Sequence, residues 1–451
     1  MNLYDYTGKA YELNTETDKT LTEENVPADA EAVGLAFNSI GISIIEPDSV
    51  DVPRIYITGT LPTTKEQGEL PVILTYKSRT NEFTSYATLK VQGDSTTMFP
   101  KKNFTIKLFS DSSRTVKDKH AFKNWSSYNK FVIKANWLDI THARNVVCAK
   151  IWYDMVKSRS DYNNLPTELL ESDHLACIDG FPITMYANGQ YYGRYAFNLT
   201  KDNMLNMDED NPDHAMVQGQ GYDNGTAFKG TSVQYWSDEL TDDLTHVQPR
   251  WVDILSFVST SSDADFKANL KNYFSVPSLI DFYLFGTAFL AWDSYGKNQS
   301  YLTYDGSYFI CSAYDMDNTI GLYWTGTMPF SPTVEWFPYN GITSEGVVSG
   351  DNVNNLYKRL ATLFNAEMVA RWAELRQHGG ALSFENIDKH FADWCSLATI
   401  EQMKEDYAST TAGGAFTDMA NIAGGNATSN NLQQIINFMH DRLVRFDALI
   451  V

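Results

Sequence analysis

The sequence predicts an α+β protein of two lobes, with a β-rich N-terminal half and a helix-rich C-terminal half. Between residues 52 and 108 the chain contains four runs rich in β-branched and aromatic residues: RIYITGTL, LPVILTYKS, FTSYATLKVQG and KNFTIKLF. Several of these runs alternate between apolar and polar residues, which is typical of strands. After residue 200 such runs become rare, and the final stretch, NLQQIINFMHDRLVRFDALI, has the spacing of an amphipathic helix.

The first half continues with a strand, a helix and a hairpin. NKFVIKANWLD predicts the strand, and ITHARNVVCAKIWYDMVKSR predicts an amphipathic helix that runs to about Lys157. GFPITMYANGQYYGRYAFNLT predicts the hairpin, because Asn188 and Gly189 are a strong signal for a type I′ turn. A short helix is also predicted near residues 28–40, where apolar residues recur at helical spacing.

The second half alternates between polar stretches and apolar helices. Residues 203–250 are polar, with clusters of Gly, Asn and Asp, and predict a loop-rich insertion. SVPSLIDFYLFGTAFLAWD predicts a helix, Asp305 and Gly306 predict the turn of a hairpin, and NNLYKRLATLFNAEMVARWAELRQH predicts one long helix or two. We therefore divide the chain into three regions: an N-terminal segment with a short helix (1–48), a β-rich N-terminal lobe (49–200) and a helical C-terminal lobe (201–451).

The chain is acidic, with 35 Lys and Arg against 56 Asp and Glu, which gives a formal net charge of −21 over 451 residues. This charge argues against nucleic-acid binding, which needs a basic surface. Solubility is the ordinary explanation for such a charge; a set of carboxylates that hold divalent cations is the functional alternative. No run approaches the roughly 20 apolar residues that cross a bilayer, so we expect no membrane partner, and the N-terminus lacks the pattern of a secretory signal.

The cysteines and histidines do not predict a structural metal. Four cysteines, Cys148, Cys177, Cys311 and Cys395, lie far apart without a CxxC pair, and the histidines lack HxxxH or HExxH spacing. We therefore expect reduced cysteines in the core and no zinc site.

The most informative motif is WDSYGKN, followed about twenty residues later by YDMDNTIG. The first places Asp293 and Asn298 five positions apart in a polar loop, and the second places Asp315 and Asp317 at the end of a strand. Phosphoryl transfer needs one carboxylate to orient the attacking hydroxyl and a second to hold Mg²⁺. The order D-x-x-x-x-N and then Asp is the one that protein kinases use. Turns and helix caps are the alternative explanation for these residues.

A second motif is VQGDSTTMFPKKNFTIKL, a Gly-containing turn between two strands. Such a turn can bring backbone N–H groups at Gly93 and the Ser95 hydroxyl close to a phosphate. Lys101, Lys102 and Lys107 follow and can supply a cation for the phosphates. The alternative is an ordinary hairpin with solvated lysines.

Five stretches in order, over about residues 85–376, resemble the CotH (spore coat protein H) kinase family. They are LKVQGDSTTMFPKKNFTIKL, FVIKANWLDITHARN, PITMYANGQYYGRYAFNLT, WDSYGKNQSYLTYDGSYFICSAYDMDNTIG and NLYKRLATLFNAEMVARWAEL. The resemblance implies an atypical protein-kinase-like fold that binds ATP with Mg²⁺, or with Mn²⁺ or Ca²⁺. It also implies phosphate transfer to Ser or Thr of a protein substrate, which the sequence does not identify.

The resemblance also implies roles for individual residues. Asp293 would be the catalytic base or a carboxylate near the metal, with Asn298 assisting the metal and Asp315 as its main ligand. Asp317 would help Asp315 or cap the following turn. Lys102 would bind phosphate, and Lys101 and Lys107 are the alternative candidates for this role. Gly93 and Ser95 would approach the nucleotide, and Arg144 and Asn145 would help to orient its phosphates.

The chain departs from the family pattern at several positions. Gln92 replaces a basic residue, Asp94 replaces an asparagine after Gly93, and residues 198–201 replace an acidic residue after the hairpin, where Asp202 could substitute. These changes bear on activity more than on fold. They leave open a catalytically weak structural or adhesion protein with a kinase-like fold.

The N-terminal stretch TDKTLTEENVPADAEAVG resembles a segment at the start of tail-appendage proteins of phages of Gram-positive bacteria. This resemblance implies a virion (phage tail) location, with the bacterial cytoplasm as the alternative, and other tail or baseplate proteins as partners of residues 1–48. A third possibility is a carbohydrate-binding surface on the tyrosine-rich hairpin, which carries Tyr186, Tyr191, Tyr192 and Tyr195. Packing along the sheet is the ordinary explanation for these tyrosines.

Overall fold

The computed structural model of the chain describes residues 2–4, 10–12, 52–79, 81–93, 95–348, 353–397, 406 and 432–450. The chain divides into two units, Met1–Val50 and Asp51–Val451. In the first unit, the described residues form two antiparallel strands, β1 (Asn2–Tyr4) and β2 (Ala10–Glu12). The helix predicted near 28–40 lies outside the described residues.

The second unit begins with a closed seven-stranded barrel in the order β3-β4-β5-β6-β7-β9-β8. All neighbouring strands are antiparallel except β3 and β8, whose parallel pairing closes the barrel. The strands are β3 (Arg54–Gly59), β4 (Leu70–Lys77), β5 (Glu82–Gln92), β6 (Asn103–Phe109), β7 (Lys130–Lys134), β8 (Gly180–Ala187) and β9 (Gln190–Leu199).

Alternation along the strands explains how the barrel is filled. Leu89 and Val91 of β5 and Phe104 and Ile106 of β6 are buried, whereas Lys90 between the first two is exposed. Closure leaves no open sheet edge, and the inward side chains pack against one another as one core. The β-rich N-terminal half that the sequence predicted is confirmed.

The predicted hairpin and the first helix are also confirmed. Asn188 and Gly189 join β8 to β9 with φ values of +49° and +80°, as a type I′ turn requires. Helix α1 (Arg144–Ser158) ends one residue beyond the predicted position. Its predicted apolar residues, from Val146 to Met155, are buried in the core.

A second, four-stranded sheet corrects the prediction for residues 203–250. It has the order β11-β10-β12-β13. Its strands are β10 (Ala215–Gly219), β11 (Trp236–Asp238), β12 (Ser300–Thr303) and β13 (Ile310–Ser312). Two of the four strands come from the segment predicted to be loop-rich. They are only five and three residues long; β10 pairs with β12 on one side and with β11 on the other, and this pairing makes them strands.

The remaining structure is mainly helical. The helices are α2 (Thr167–Leu170), α3 (Lys201–Leu205), α4 (Gln248–Thr260), α5 (Asp263–Asn269), α6 (Val276–Phe289), α7 (Asn355–Leu363), α8 (Asn365–Arg376), α9 (Phe384–Cys395) and α10 (Leu432–Asp447). A small hairpin is formed by β14 (Gly341–Thr343) and β15 (Gly346–Val348). Of the ten helices bounded here, eight begin after residue 200. The stretch predicted as one helix or two is two, α7 and α8, which meet at Phe364.

Helix α6 is the central helix of this half. The Ser275 hydroxyl accepts from the Ser278 N–H at 3.1 Å and caps its start. Its residues from Ser278 to Phe289 are all buried, as the apolar sequence predicted, and it ends at Leu290 with a left-handed φ of +50°. The chain then turns directly into the loop that carries Asp293, so the rigid helix fixes where this loop begins.

Two further expectations concern cysteines and membranes. The four cysteines are free and buried, which confirms the prediction of reduced core residues. No helix in the described part of the chain combines the length and the apolar character needed to span a bilayer.

Candidate functional site

A polar cavity of about 500 Å³ brings together the two predicted loops. Asp293 and Asn298 line it from the loop after α6, and Asp315 and Asp317 line it from the loop after β13. The barrel contributes Gly93, Lys101 and Lys134 among other residues of the wall. The four residues predicted to hold the metal and the acceptor therefore line the same cavity as lysines of the barrel.

Asp293 is held by hydrogen bonds from three sides. It accepts from the Tyr222 hydroxyl at 2.6 Å, from the Asn298 amide nitrogen at 3.2 Å, and from the side chain of Asn318. Asn298 adopts a left-handed φ of +60°, and its backbone N–H donates to the Gly219 carbonyl at 2.9 Å. The end of strand β10 therefore anchors the loop that positions Asp293.

Burial raises the pKa of Asp293 to about 6, and the charge of Asp315 adds to this effect. The hydrogen bonds from Tyr222 and Asn318 and the charge of Lys297 act in the opposite direction without cancelling it. A carboxyl with a pKa near 6 can accept a proton at neutral pH better than an ordinary aspartate.

The second loop places two carboxylates beside Asp293. Asp315 has a left-handed φ of +59°, a conformation that costs a residue other than glycine free energy and is enriched at functional sites. The Asn145 amide oxygen accepts from the Met316 N–H at 3.0 Å and holds this turn. Burial raises the pKa of Asp317 well above its usual range, and the charges of Asp315 and Asp293 raise it further. The three carboxylates therefore repel one another across the cavity, which favours a bound cation.

The residues present fit a hard divalent cation. Carboxylate and amide oxygens are the ligands that Mg²⁺ and Ca²⁺ prefer. The Asn318 amide oxygen is buried without a hydrogen-bond partner, next to Asp293. Among the described residues, no group of three or more His, Cys, Asp or Glu side chains could by itself hold a metal ion. A cation here would thus also need amide, water or phosphate oxygens, which is the usual arrangement for Mg²⁺.

Two lysines that the sequence analysis did not select face these acids. Burial lowers the pKa of Lys134, at the end of β7, while the charges of Asp315 and Asp317 oppose the change. Burial also acts to lower the pKa of Lys201, but Tyr314, Glu239 and Asp315 outweigh it and raise that pKa. Both lysines line the cavity and an adjoining one of about 260 Å³.

The Gly-containing turn forms another part of the wall. Gly93 has a φ of +100°, and a Cβ atom there would lie 2.0 Å from the Thr96 hydroxyl, so no other residue fits without rearrangement. Asn103 donates to that hydroxyl at 3.2 Å and accepts from the Ala135 N–H at 2.7 Å. The turn is thereby tied to strands β6 and β7. Asp94 and the Ser95 side chain lie outside the described residues.

A family model described as CotH kinase protein matches residues 89–445, which is well over half of the chain. The chain belongs to the CotH kinase family. No curated protein matched it. The matched range contains both acidic loops, the Gly-containing turn and Lys134.

In this CotH family member, some of the residues predicted to bind phosphate do not line the cavity. Lys102 donates to the Thr97 and Phe99 carbonyls at 2.7 and 2.6 Å. Lys107 pairs with Glu69 at 2.6 Å on the barrel exterior. Neither lines the cavity. Lys102 lies before β6 and is bonded to carbonyls of the preceding turn, whereas Lys107 lies between the buried Ile106 and Leu108 and therefore points out of the barrel.

Arg144 and Lys101 are both engaged elsewhere. The Arg144 guanidinium is buried and pairs with Asp139 at 2.6 Å, so it does not line the cavity, whereas its neighbour Asn145 does. Lys101 lines the cavity, but it is buried against Asp406 at 2.9 Å. Burial lowers the pKa of Lys101 although Asp406 opposes this.

The family's acidic residue after the hairpin is absent from this chain, and two nearby carboxylates, Asp202 and Glu239, pair with lysines. Asp202, the substitute considered from the sequence, pairs with the half-exposed Lys130. Glu239, which follows β11, pairs with Lys201 at the cavity wall. Sequence reasoning missed Glu239 because it lies in the segment assigned to loops. A signal for Lys134 existed in FVIKANW, where a lysine directly follows a run of three apolar residues.

Proposed function

We propose that this CotH family protein has an atypical kinase-like fold and transfers the γ-phosphoryl group of ATP to Ser or Thr of a protein. The observation that carries the proposal is the meeting of Asp293, Asn298, Asp315 and Asp317 with Lys134 in one polar cavity. Positioning and electrostatic stabilisation account for most of the catalysis of phosphoryl transfer. A cleft in which opposite charges face one another suits that task.

The metal would be held by Asp315 and Asp317 together with the amide oxygens of Asn298 and Asn318. The Asn298 amide nitrogen donates to Asp293, which leaves its oxygen for a cation. Bound Mg²⁺, or Mn²⁺ or Ca²⁺, would neutralise charge on the phosphates of ATP.

The phosphates would meet the lysines of the opposite wall. Lys134 takes the role first given to Lys102, because Lys134 lines the cavity and Lys102 does not. Lys201 supplies a second cation, and the Gly93 turn with Ser95 covers the phosphates. Asn145 positions the metal loop through its bond from the Met316 N–H.

Asp293 acts on the acceptor. Its carboxylate takes the proton of the Ser or Thr hydroxyl while the hydroxyl oxygen forms a bond to the γ-phosphorus. The bond from that phosphorus to the bridging oxygen breaks, and ADP leaves with the electron pair. The pKa of about 6 suits a base that works at neutral pH.

The test combines binding with transfer. Thermal shift with ATP and Mg²⁺ should show stabilisation of about 2.7 kcal/mol at 100 times the dissociation constant, and label from γ-labelled ATP should reach protein. Asp315→Ala should abolish both signals, and Lys134→Met should abolish label transfer and reduce the stabilisation by about half or more, as a tenfold weaker affinity requires. Lys107→Met is the matched control, since Lys107 is a lysine of the same barrel paired on its exterior. Loss in the control equal to that in Lys134→Met would contradict the assignment.

We also propose that the protein is mounted on a phage tail through residues 1–48, with other tail or baseplate proteins as its partners. The division of the chain into units after Val50 supports a separate N-terminal segment. A catalytically weak structural or adhesion protein is the second candidate, favoured by Gln92 in place of a basic residue at the cavity wall. It would give neither a thermal shift nor label transfer. Mass spectrometry of purified virions tests the location independently of catalysis.

A further inference from the structure

The lysines that line the polar cavity differ in how they are bonded. Lys101 and Lys201 each pair with a carboxylate. Lys134 and Lys297 have no hydrogen-bond or salt-bridge partner among the residues that the structure describes. Lys297 is only half-buried, so its ammonium group can donate to a ligand without first breaking an internal bond. The role proposed above uses Lys134 and leaves Lys297 unexplained.

The backbone on both sides of Lys297 is fixed. The Gly296 carbonyl accepts from the Gln299 side chain at 2.9 Å, and the Asn298 N–H donates to the Gly219 carbonyl at 2.9 Å. A Cβ atom at Gly219 would lie 2.0 Å from the Gly296 carbonyl oxygen, so strand β10 and this loop touch backbone to backbone. The lysine therefore starts from a rigid anchor, which lowers the cost of positioning its charge.

Lys297 lies near the proposed base. It follows Asp293 by four positions in the same loop. Burial raises the pKa of Asp293, and the charge of Lys297 opposes this rise, so the ammonium group lies within electrostatic range of that carboxylate. Lys134 and Lys201 interact instead with Asp315, the proposed main ligand of the metal. The cavity thus has one cationic region beside the metal loop and another beside the base.

The number of charges does not by itself select an anion. Five lysines and five Asp or Glu residues line the cavity. A divalent cation held by the acids would add two positive charges, and bound cations are often the largest charges in a site. The positions of the lysines, rather than their number, then decide which phosphate each one meets.

We propose that Lys297 binds the γ-phosphoryl group of ATP, whereas Lys134 binds a phosphate that ADP also carries. This inference rests on the proposed kinase function. In that reaction Asp293 takes the proton of the hydroxyl that attacks the γ-phosphorus, so the transferred group lies beside the base. Negative charge is spread over its three equatorial oxygens during transfer. An ammonium group fixed next to those oxygens stabilises the transition state.

The test compares two nucleotides that differ by one phosphate. Calorimetry with Mg²⁺ measures the affinity of the full chain for ADP and for the non-transferring ATP analogue with an imido β–γ bridge. Lys297→Met should weaken binding of the analogue at least about tenfold, because it removes a hydrogen bond to a charged group, and should change the affinity for ADP by less than about twofold. Lys134→Met should weaken both nucleotides.

Lys107→Met is the matched control, because Lys107 pairs on the exterior of the barrel, and it should affect neither nucleotide. Without nucleotide, Lys297→Met should melt close to the wild type, since Lys297 makes no hydrogen bond or salt bridge within the described part of the chain. At saturating ATP, its label transfer should fall by about a hundredfold.

The outcomes separate this inference from the kinase proposal. An equal loss for ADP and the analogue, or no loss for either, would refute the role of Lys297 and leave nucleotide binding standing. Label transfer that Lys297→Met leaves unchanged would refute it as well. A wild type that binds neither nucleotide would refute both proposals.

Discussion

Replacing Asp293 by asparagine should stabilise the metal-free protein at neutral pH while removing the phosphoryl transfer proposed for it. Ionised Asp293 is unfavourable in the fold, because burial and Asp315 raise its pKa from an ordinary 3.8 to about 6. That difference corresponds to about 3 kcal/mol above pH 6. Asparagine has no charge to desolvate. It loses the bond from the Asn298 amide nitrogen, worth about 1 kcal/mol, so the expected net gain is about 2 kcal/mol.

The dependence on pH distinguishes this explanation from a general packing effect. A carboxyl with a raised pKa in the fold contributes stability that is complete below its unfolded pKa and is lost as pH rises through the folded pKa. The wild type should therefore lose this contribution between about pH 4 and pH 7, and Asp293→Asn should not. The difference in melting temperature should be a few degrees at pH 7.5 and should shrink or reverse at pH 4.5.

The assay is thermal unfolding in EDTA at several pH values, repeated with Mg²⁺. Mg²⁺ should stabilise the wild type more than Asp293→Asn and so reduce their difference at pH 7.5. Asp243→Asn is the control, because the pKa of Asp243 is shifted in the opposite direction to that of Asp293. Backbone and side-chain hydrogen bonds from Thr245 lower the pKa of this exposed carboxyl. The control variant should be neutral or destabilising at pH 7.5. An Asp293→Asn variant that melts below the wild type by the same amount at every pH would refute the reasoning.

Three further changes test the polar cavity and a buried ion pair. Lys134→Met should weaken ATP binding in the presence of Mg²⁺ by at least about tenfold, because it removes a charge-assisted contact; titration calorimetry measures this. Asn145→Ala should cost about 1–3 kcal/mol, because it leaves the buried Met316 N–H without its acceptor, and a lower melting temperature with weaker Mg²⁺ binding would confirm it. Arg371→Leu should lower the free energy of unfolding by about 3–5 kcal/mol, because it leaves the buried Asp281 unpaired. Adding Asp281→Leu to that variant should recover much of the lost stability.

Local patterns in the sequence determined the elements of this protein that depend on neighbouring residues. Alternation in the runs from residue 52 to 108 predicted barrel strands, and the spacing around Val146 predicted α1. The motifs with Asp293 and Asp315 were also visible, because each sits at a turn directly after a regular element. Such signals survive in the sequence because strand and helix periodicity are properties of short segments.

Only the tertiary structure decided which residues lie in the same cavity as Asp293, Asp315 and Asp317. Lys134 comes from β7 and Glu239 follows β11, and neither is near Asp315 in sequence. The strands of 203–250 exist because β10 pairs with the distant β12 and in turn with β11, within a segment whose polar composition predicted loops. Lys102 and Lys107 resemble phosphate-binding lysines in sequence, but Lys102 is bonded to carbonyls of its own turn and Lys107 pairs with Glu69 on the barrel exterior. The direction of a side chain in a closed sheet depends on register between distant strands, and that pairing is set only when the barrel closes.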